Sequence, residues 1–169
     1  MNYQTIKHNI ISNGEGVRTS LFVTGCIHGC KGCFNHSIAN KNAGHPYTIE
    51  TENEIIESLK LPYVKGLSLL GGEPFMDYNV PDLLRLCQRV RKELPTKTIW
   101  AYSGYTIEEL AKDKLKLELL SYCDVLVDGK FIQDLYSPKL KFRGSSNQRI
   151  IKVQETLMIG DIILHEKQH

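Results

Sequence analysis

The stretch TSLFVTGCIHGCKGC, residues 19–33, joins a strand-like run to a glycine-rich loop with three closely spaced cysteines. The run over 19–25 is rich in β-branched and apolar residues and stops at a glycine, which predicts a buried strand. Glycines between the cysteines let the loop wrap closely around a bound group and offer backbone N–H groups to it. The sequence thus predicts a strand that leads into a metal-binding loop, whose cysteines are Cys26, Cys30 and Cys33.

Strand-like and helix-like segments alternate along the rest of the chain. Apolar runs bounded by glycine or proline predict strands, and helical spacing of apolar residues predicts helices. This alternation indicates parallel βαβ units and hence an α/β fold. The predicted strands lie within 66–74, 97–104 and 123–131, and the tail from 149 onwards predicts one or two further short strands. The predicted helices are 51–59, with a Thr51–Glu54 capping box, 79–94, and about fifteen residues after a Thr106–Glu109 capping box.

The chemistry of a parallel sheet gathers at the carboxyl ends of its strands. Beside the cysteine loop, this edge collects Gly71-Gly72-Glu73-Pro74, Ser103-Gly104 and Asp128-Gly129-Lys130. A closed eight-stranded barrel usually needs about 250 residues, whereas this chain has 169. We therefore expect a single domain over residues 1–169, built as an open, partial (β/α) barrel of parallel strands with the helices outside.

Composition limits the cellular compartments in which the protein could work, but it indicates no binding partner. The 21 basic and 19 acidic side chains are interspersed, so no general field attracts nucleic acid or an anionic membrane surface. The chain has neither a signal-peptide run nor a membrane-spanning apolar run, which predicts a cytoplasmic protein. Because thiols stay reduced there, five cysteines indicate metal or redox chemistry rather than a disulfide framework.

Three cysteines leave one position of a metal site unfilled. A structural zinc site is closed by four protein ligands, whereas a site that binds something else keeps a position free. A [4Fe–4S] cluster on Cys26, Cys30 and Cys33 leaves one iron for an exogenous ligand, and soft sulfur ligands suit such a cluster. The alternative is a zinc site of the Cys₃His type, with His28 or His36 as the fourth ligand.

The cysteine spacing, the following Phe34-Asn35 and the Gly-Gly-Glu-Pro after the second strand together resemble the radical S-adenosylmethionine (SAM) superfamily. More narrowly, three segments are similar to the activating proteins of anaerobic ribonucleoside-triphosphate reductases: NGEGVRTSLFVTGCIHGCKGCFN, CDVLVDGKF and FRGSSNQR. The likeness implies a partial (β/α) barrel of the radical SAM type. It also implies an oxygen-sensitive [4Fe–4S] cluster and SAM, bound through its amino and carboxylate groups to the unique iron.

The resemblance also assigns residues to SAM. Gly71, Gly72 and Glu73 are expected to receive the ammonium of the methionine moiety, because backbone carbonyls and a carboxylate are suitable acceptors. An ordinary turn with a solvated glutamate is the alternative. Asp128 and Lys130 are expected to recognise a zwitterionic ligand, with a surface ion pair as the alternative. Ser103 is a candidate for ribose or carboxylate, with a plain loop serine as the alternative. Adenine contact is expected from the Gly32 backbone or from Phe34, since Gly32 stands where many relatives carry an aromatic residue, and Cys33 and Asn35 are further candidates for binding the cofactor.

Other residues are expected to have ordinary structural roles. His28 and His36 are predicted to be surface histidines if a cluster is present. Cys87 and Cys123 are predicted to be core thiols. Arg143 and Arg149 are expected to lie in a solvated basic loop, and the alternative is that their segment lines the open side of the barrel and touches the cosubstrate or the partner.

The function implied by the resemblance is that of a radical-generating activase, an oxidoreductase. A reductant such as flavodoxin charges the cluster, and SAM is cleaved to methionine and a 5′-deoxyadenosyl radical. The radical removes a hydrogen atom from a glycine in the large subunit of the partner reductase. The alternatives are an activase of another glycyl-radical enzyme, such as pyruvate formate-lyase, and a zinc-stabilised binding module.

Overall fold

The computed structural model describes residues 1–34 and 36–169. The strands are β1 (Asn2–Ile10), β2 (Val17–Val23), β3 (His45–Pro46), β4 (Val64–Gly71), β5 (Thr98–Tyr102), β6 (Val125–Asp128) and β7 (Arg149–Lys152). The helices are α1 (Ile49–Leu59), α2 (Val80–Glu93), α3 (Ile107–Ala111), α4 (Lys114–Leu120) and α5 (Val153–Ile159). Within the two described ranges, no helix is long and apolar enough to cross a membrane.

The strands form a seven-stranded sheet in the order β3-β1-β2-β4-β5-β6-β7. The central strands β2, β4, β5 and β6 run parallel, in agreement with the predicted βαβ units. The outer strands β1, β3 and β7 pair antiparallel with their neighbours, so the prediction of parallel strands is wrong at both edges. The α/β class is confirmed and the sheet is open, with β3 and β7 at its ends. The partial barrel and the single domain stay predictions.

Alternating side chains along the strands build two apolar layers. In β5, Ile99 and Ala101 belong to the larger layer, together with buried side chains from all five helices. Trp100 belongs to a smaller cluster, against which Tyr102 packs, and the alternation places that cluster on the opposite face of the sheet. The helices therefore cover one face, and the other face is left for loop segments and a cavity.

Three local predictions need correction. Helix α1 begins before its predicted start because Thr48 is its N-cap, and Thr51 completes the capping box. The helix predicted after Thr106 has its expected capping box but divides into α3 and α4. The division occurs because the Asp113 carboxylate accepts from two backbone N–H groups and so starts a second helix. The tail forms the strand β7 and the helix α5 rather than strands alone.

Arg18 ties three central strands together. Its Nε atom donates to Ser68 Oγ at 2.8 Å. Its Nη1 and Nη2 atoms donate to oxygens of Glu15, Leu67 and Thr98. The side chain is fully buried, and burial lowers the pKa of the guanidinium to about 10. Since a guanidinium has five N–H groups and five acceptor contacts are made, this arginine is satisfied by the fold itself.

Candidate functional site

A cavity of about 720 Å³ opens at the carboxyl edge of the central strands. The ends of β4, β5 and β6 contribute Gly71-Gly72, Ser103-Gly104 and Gly129 to its wall. The loop after β2 contributes the three clustered cysteines and Phe34. The prediction that the loops after four strands meet at one edge is therefore confirmed.

Backbone hydrogen bonds hold the start of the cysteine loop in place. Gly25 N and Cys26 N each donate, at 2.8 Å, to carbonyls of the segment that follows the loop. Glu73 N donates to Gly25 O at 2.7 Å, which joins the loop to the end of β4. A Cβ atom on Gly72 would lie 2.4 Å from Gly25 O. This close approach of two backbones therefore requires a glycine at position 72.

The three clustered thiols are half buried at the cavity wall. Burial raises the pKa of the Cys26 thiol, and the nearby Glu73 carboxylate adds to the rise. Within the described ranges, no three His, Cys, Asp or Glu side chains gather closely enough to hold one metal ion. Three thiols along one cavity wall are nevertheless a donor set that suits an iron–sulfur cluster, which is larger than a single ion. His28, a candidate fourth zinc ligand, has its Nε2 atom hydrogen-bonded to Glu73.

Glu73 is fully buried, and donors from three strand ends surround its carboxylate. Ser103 Oγ lies 2.9 Å from both carboxylate oxygens, and Gly104 N donates at 2.8 Å. Phe75 N donates at 2.9 Å. The fourth donor is His28 Nε2, at 2.6 Å. Because a carboxylate offers about four acceptor sites, the protein itself fills those of Glu73.

These contacts revise the interpretation of several predicted residues. The prediction of a surface histidine at position 28 is wrong, because only 4% of the His28 side chain is exposed. Ser103, a candidate for ribose or carboxylate, donates its hydroxyl to Glu73. Glu73 is neither a solvated turn residue nor an open acceptor. Gly71 and Gly72 remain at the cavity wall as the backbone candidates for a ligand.

Asp128 and Lys130 border a second cavity, of about 580 Å³, whose described lining contains no cysteine. The buried Asp128 carboxylate accepts from Arg149 at 2.6 and 3.0 Å and from Ile107 N at 2.8 Å. Lys130 is exposed, and Gly129 between them has a φ of +97°, which ends the strand geometry. Asp128 therefore fixes Arg149 and the start of α3. A contact of this pair with SAM stays a prediction.

The two arginines of segment 143–149 have different partners. Arg149 pairs with Asp128 at 2.6 Å and with Glu108 at 2.8 Å. Arg143 lines the large cavity, which agrees with the alternative to a solvated loop, that this segment borders the site. Its Nε atom is buried without an acceptor among the described residues, and burial lowers the pKa of the guanidinium. Its Nη atoms donate to backbone oxygens of Ser146, Gln148 and Gln168.

The remaining predicted residues lie at the cavity mouth or in the core. Phe34 is 70% exposed, and its ring centroid lies 5.3 Å from that of Phe131. Gly32 and His36 are exposed, whereas Cys87 and Cys123 are fully buried, which confirms the predictions for His36 and both core thiols. The prediction for Asn35 falls outside the described residues. Contacts of Gly32 and Phe34 with adenine, and of Cys33 with the cofactor, stay predictions.

The sequence reasoning missed the His28–Glu73 contact and gave the place of Arg143 at the site only as an alternative. His28 and Glu73 are 45 residues apart, and Ser103 lies 30 residues beyond Glu73. Contacts over such separations follow no local spacing rule. Only the convergence of strand ends at one edge could have indicated that these residues meet.

The family model and the similar proteins found by comparison agree with each other. The family model described as "4Fe-4S single cluster domain" matches residues 12–151. A protein of Vibrio cholerae serotype O1 is 49% identical over 152 residues, which cover 89% of this chain and 97% of that protein. A protein of Escherichia coli K12 is 47% identical over 150 residues, 88% of this chain and 96% of its own length.

A more distant relative comes from Enterobacteria phage T4, with 41% identity over 150 residues, 89% of this chain and 93% of that protein. All three relatives are named anaerobic ribonucleoside-triphosphate reductase-activating protein. The chain therefore belongs to the family of anaerobic ribonucleoside-triphosphate reductase-activating proteins, and residues 12–151 form its 4Fe-4S single cluster domain.

Proposed function

We propose that this chain cleaves SAM reductively and generates a glycyl radical on the large subunit of an anaerobic ribonucleoside-triphosphate reductase. The observation that carries the proposal is one cavity that is lined by the three clustered cysteines, Gly71-Gly72 and Arg143. Soft donors for a cluster and groups suited to a zwitterionic ligand thus share one site. The names of the relatives supply the reductase as the partner.

Cys26, Cys30 and Cys33 hold the [4Fe–4S] cluster through their thiolates in this proposal. When bound and reduced, the cluster supplies one electron to the sulfonium of SAM, whose C5′–S bond breaks to give methionine and a 5′-deoxyadenosyl radical that takes a hydrogen atom from a glycine. The backbone of Gly71-Gly72 receives the ammonium of SAM, since the Glu73 carboxylate is already filled. Arg143 provides the positive charge beside the carboxylate of SAM.

The other wall residues keep water away from the reaction. Leu70, Val127 and Phe131 give the cavity an apolar lining, which limits side reactions of a radical. Ile11 and Phe34 are exposed and also line the cavity, so an inserted protein loop would find apolar contacts at the mouth. The chain's own side chains transfer no proton in this scheme. A flavodoxin-like electron donor and a cytoplasmic setting are part of the same proposal.

The test is SAM cleavage by anaerobically reconstituted protein. Wild type is expected to release 5′-deoxyadenosine and, with the large reductase subunit present, to produce a glycyl radical signal by electron paramagnetic resonance. Cys30→Ala is expected to lose both. Cys87→Ala is the matched control, because it removes a thiol that is buried away from the cavity. Deoxyadenosine release by Cys30→Ala at the wild-type rate contradicts the proposal.

Two parallel measurements separate the alternatives. Pyruvate formate-lyase offered in place of the reductase is expected to give no radical signal, and a signal with it alone would redirect the partner assignment. A colourless protein with one bound zinc per chain would support the zinc-stabilised binding module. Broad absorption at about 400 nm would indicate an iron–sulfur cluster instead.

A further inference from the structure

We propose that His28 is a positioning residue that holds the cysteine loop against the ends of β4 and β5 through Glu73. His28 stands between Cys26 and Cys30, so it belongs to the loop that carries the three clustered cysteines. The inference rests on the proposed role of these cysteines as cluster ligands. It does not depend on whether SAM is cleaved.

The geometry joins three chain segments at one buried carboxylate. His28 Nε2 lies 2.6 Å from Glu73 Oε1, and the exposed fractions of the two side chains are 4% and 0%. An ionised carboxylate only accepts hydrogen bonds, so Nε2 is the donor. Ser103 and Gly104 donate to the same carboxylate from the end of β5. The His28 side chain thereby fixes the cysteine loop to the ends of β4 and β5 through Glu73, in addition to the backbone contacts of the loop.

Packing around the imidazole restricts it to this position. A Cβ atom on Gly104 would lie 2.4 Å from His28 Cδ2, so the ring occupies the space above that glycine. The Tyr105 ring meets the imidazole edge-on, at a centroid distance of 4.6 Å. A methyl group at position 104 is therefore expected to displace His28 without changing any charge, which gives a second way to perturb the same contact.

The competing role for Glu73 is to accept the ammonium of a bound ligand. Oε1 accepts from His28, Ser103 and Gly104, and Oε2 accepts from Ser103 and Phe75. A further donor would have to displace one of these, at the cost of leaving a buried polar group unsatisfied. The arrangement favours Glu73 as the fixed point of the loop, with His28 as its link to the cysteines.

The experiment measures how fast reconstituted protein loses iron to a chelator under anaerobic conditions. Removing a partner that orients metal ligands typically weakens metal binding by about 10- to 100-fold. His28→Ala and Gly104→Ala are expected to lose iron at least about tenfold faster than wild type. His28→Gln, whose amide can donate to Glu73, is expected to restore part of the retention. His8→Ala is the matched control, because His8 and Glu54 form an exposed pair at 3.5 Å.

Amide hydrogen exchange separates positioning from general destabilisation. In the cluster-free protein, His28→Ala is expected to speed exchange in residues 25–33 while the amides of β5 stay protected. Equal loss of protection in both regions, or wild-type iron retention by His28→Ala, overturns the inference. So does a Glu73→Gln variant that keeps its iron but no longer binds SAM, because Glu73 would then serve the ligand. Failure of the proposed function appears instead as SAM cleavage that survives in Cys30→Ala.

Discussion

Replacing Arg143 with glutamine is expected to weaken the binding of SAM. The whole effect is expected to come from a lost contact with the carboxylate of SAM. Among the described residues that line the large cavity, none is an aspartate or a glutamate. Arg143 donates to three backbone oxygens and has no carboxylate partner in the described part of the chain. SAM has a single anionic group, so its carboxylate is the partner that the proposed ligand offers to this guanidinium.

The contacts of Arg143 set the size of the effect. A hydrogen bond to a charged group contributes about 1.5–3 kcal/mol. With about 1.4 kcal/mol for each factor of ten, the dissociation constant for SAM is expected to rise about 10- to 150-fold in Arg143→Gln. The described contacts use three of the four Nη N–H groups, so one remains for a carboxylate, whereas the buried Nε–H is closed off from the cavity.

The assay is anaerobic titration calorimetry of reconstituted protein with SAM and with decarboxylated SAM. Arg143→Gln is expected to lose affinity for SAM and to bind decarboxylated SAM as wild type does. Lys139→Gln is the control, because it removes an exposed charge four residues before Arg143. Equal loss of affinity for both compounds, or no loss for either, would refute the reasoning.

Three further substitutions test the framework around the site. Arg18→Met leaves several buried acceptors without a donor, which costs at least about 3 kcal/mol in total, and calorimetry of the cluster-free chain is expected to give a melting temperature lower by at least about 6 °C; a shift below about 2 °C contradicts the role of Arg18. Gly72→Ala forces a methyl group against Gly25 O and is expected to lower the iron bound per chain, whereas unchanged iron content would show that the loop tolerates the shift. Arg149→Gln leaves the buried Asp128 carboxylate unpaired and is expected to lower the free energy of unfolding by about 3 kcal/mol at pH 7. This value is the low end of the range for breaking a buried ion pair, because Arg149 is partly exposed. Arg149 also lowers the pKa of Glu108 below 4.5, so this pair stabilises the fold above that pH and is lost as the pH falls through the lowered value. Urea unfolding of wild type is therefore expected to weaken more steeply below about pH 4.5 than that of Arg149→Gln, and parallel declines contradict the assignment.

The centre of the fold could be predicted because its strands are continuous apolar runs. β4 and β6 are almost entirely buried, and such runs between glycines and helices identify parallel strands. The edge strand β1 has mostly exposed or half-buried side chains, so no apolar pattern marks it. The division between α3 and α4 did have a local signal, since Asp113 is a suitable N-cap. Helical spacing that continues across position 113 concealed it.

The location of the candidate site could be predicted from the sequence better than the contacts between its residues. Strand ends of a parallel sheet meet at one edge, which is why the cysteines, Gly71-Gly72 and Ser103 could be grouped from sequence alone. The direction of each side chain depends on neighbours from other strands. Glu73 turns into the protein because donors from two other loops surround it, and those loops are not adjacent in sequence. A motif therefore gives the residue types at a site without deciding which of them face the ligand.

Three arginines of this chain show how far hydrogen-bond accounting can separate structural roles from binding roles. Arg18 has an acceptor contact for each of its five N–H groups, and Arg149 has two carboxylates to balance its charge. Arg143 has neither arrangement, since its Nε–H is unsatisfied and its only described acceptors are backbone oxygens. Because Arg143 lines the cavity that contains the cysteines and has no carboxylate partner in the described part of the chain, its charge is available to the carboxylate of the proposed ligand.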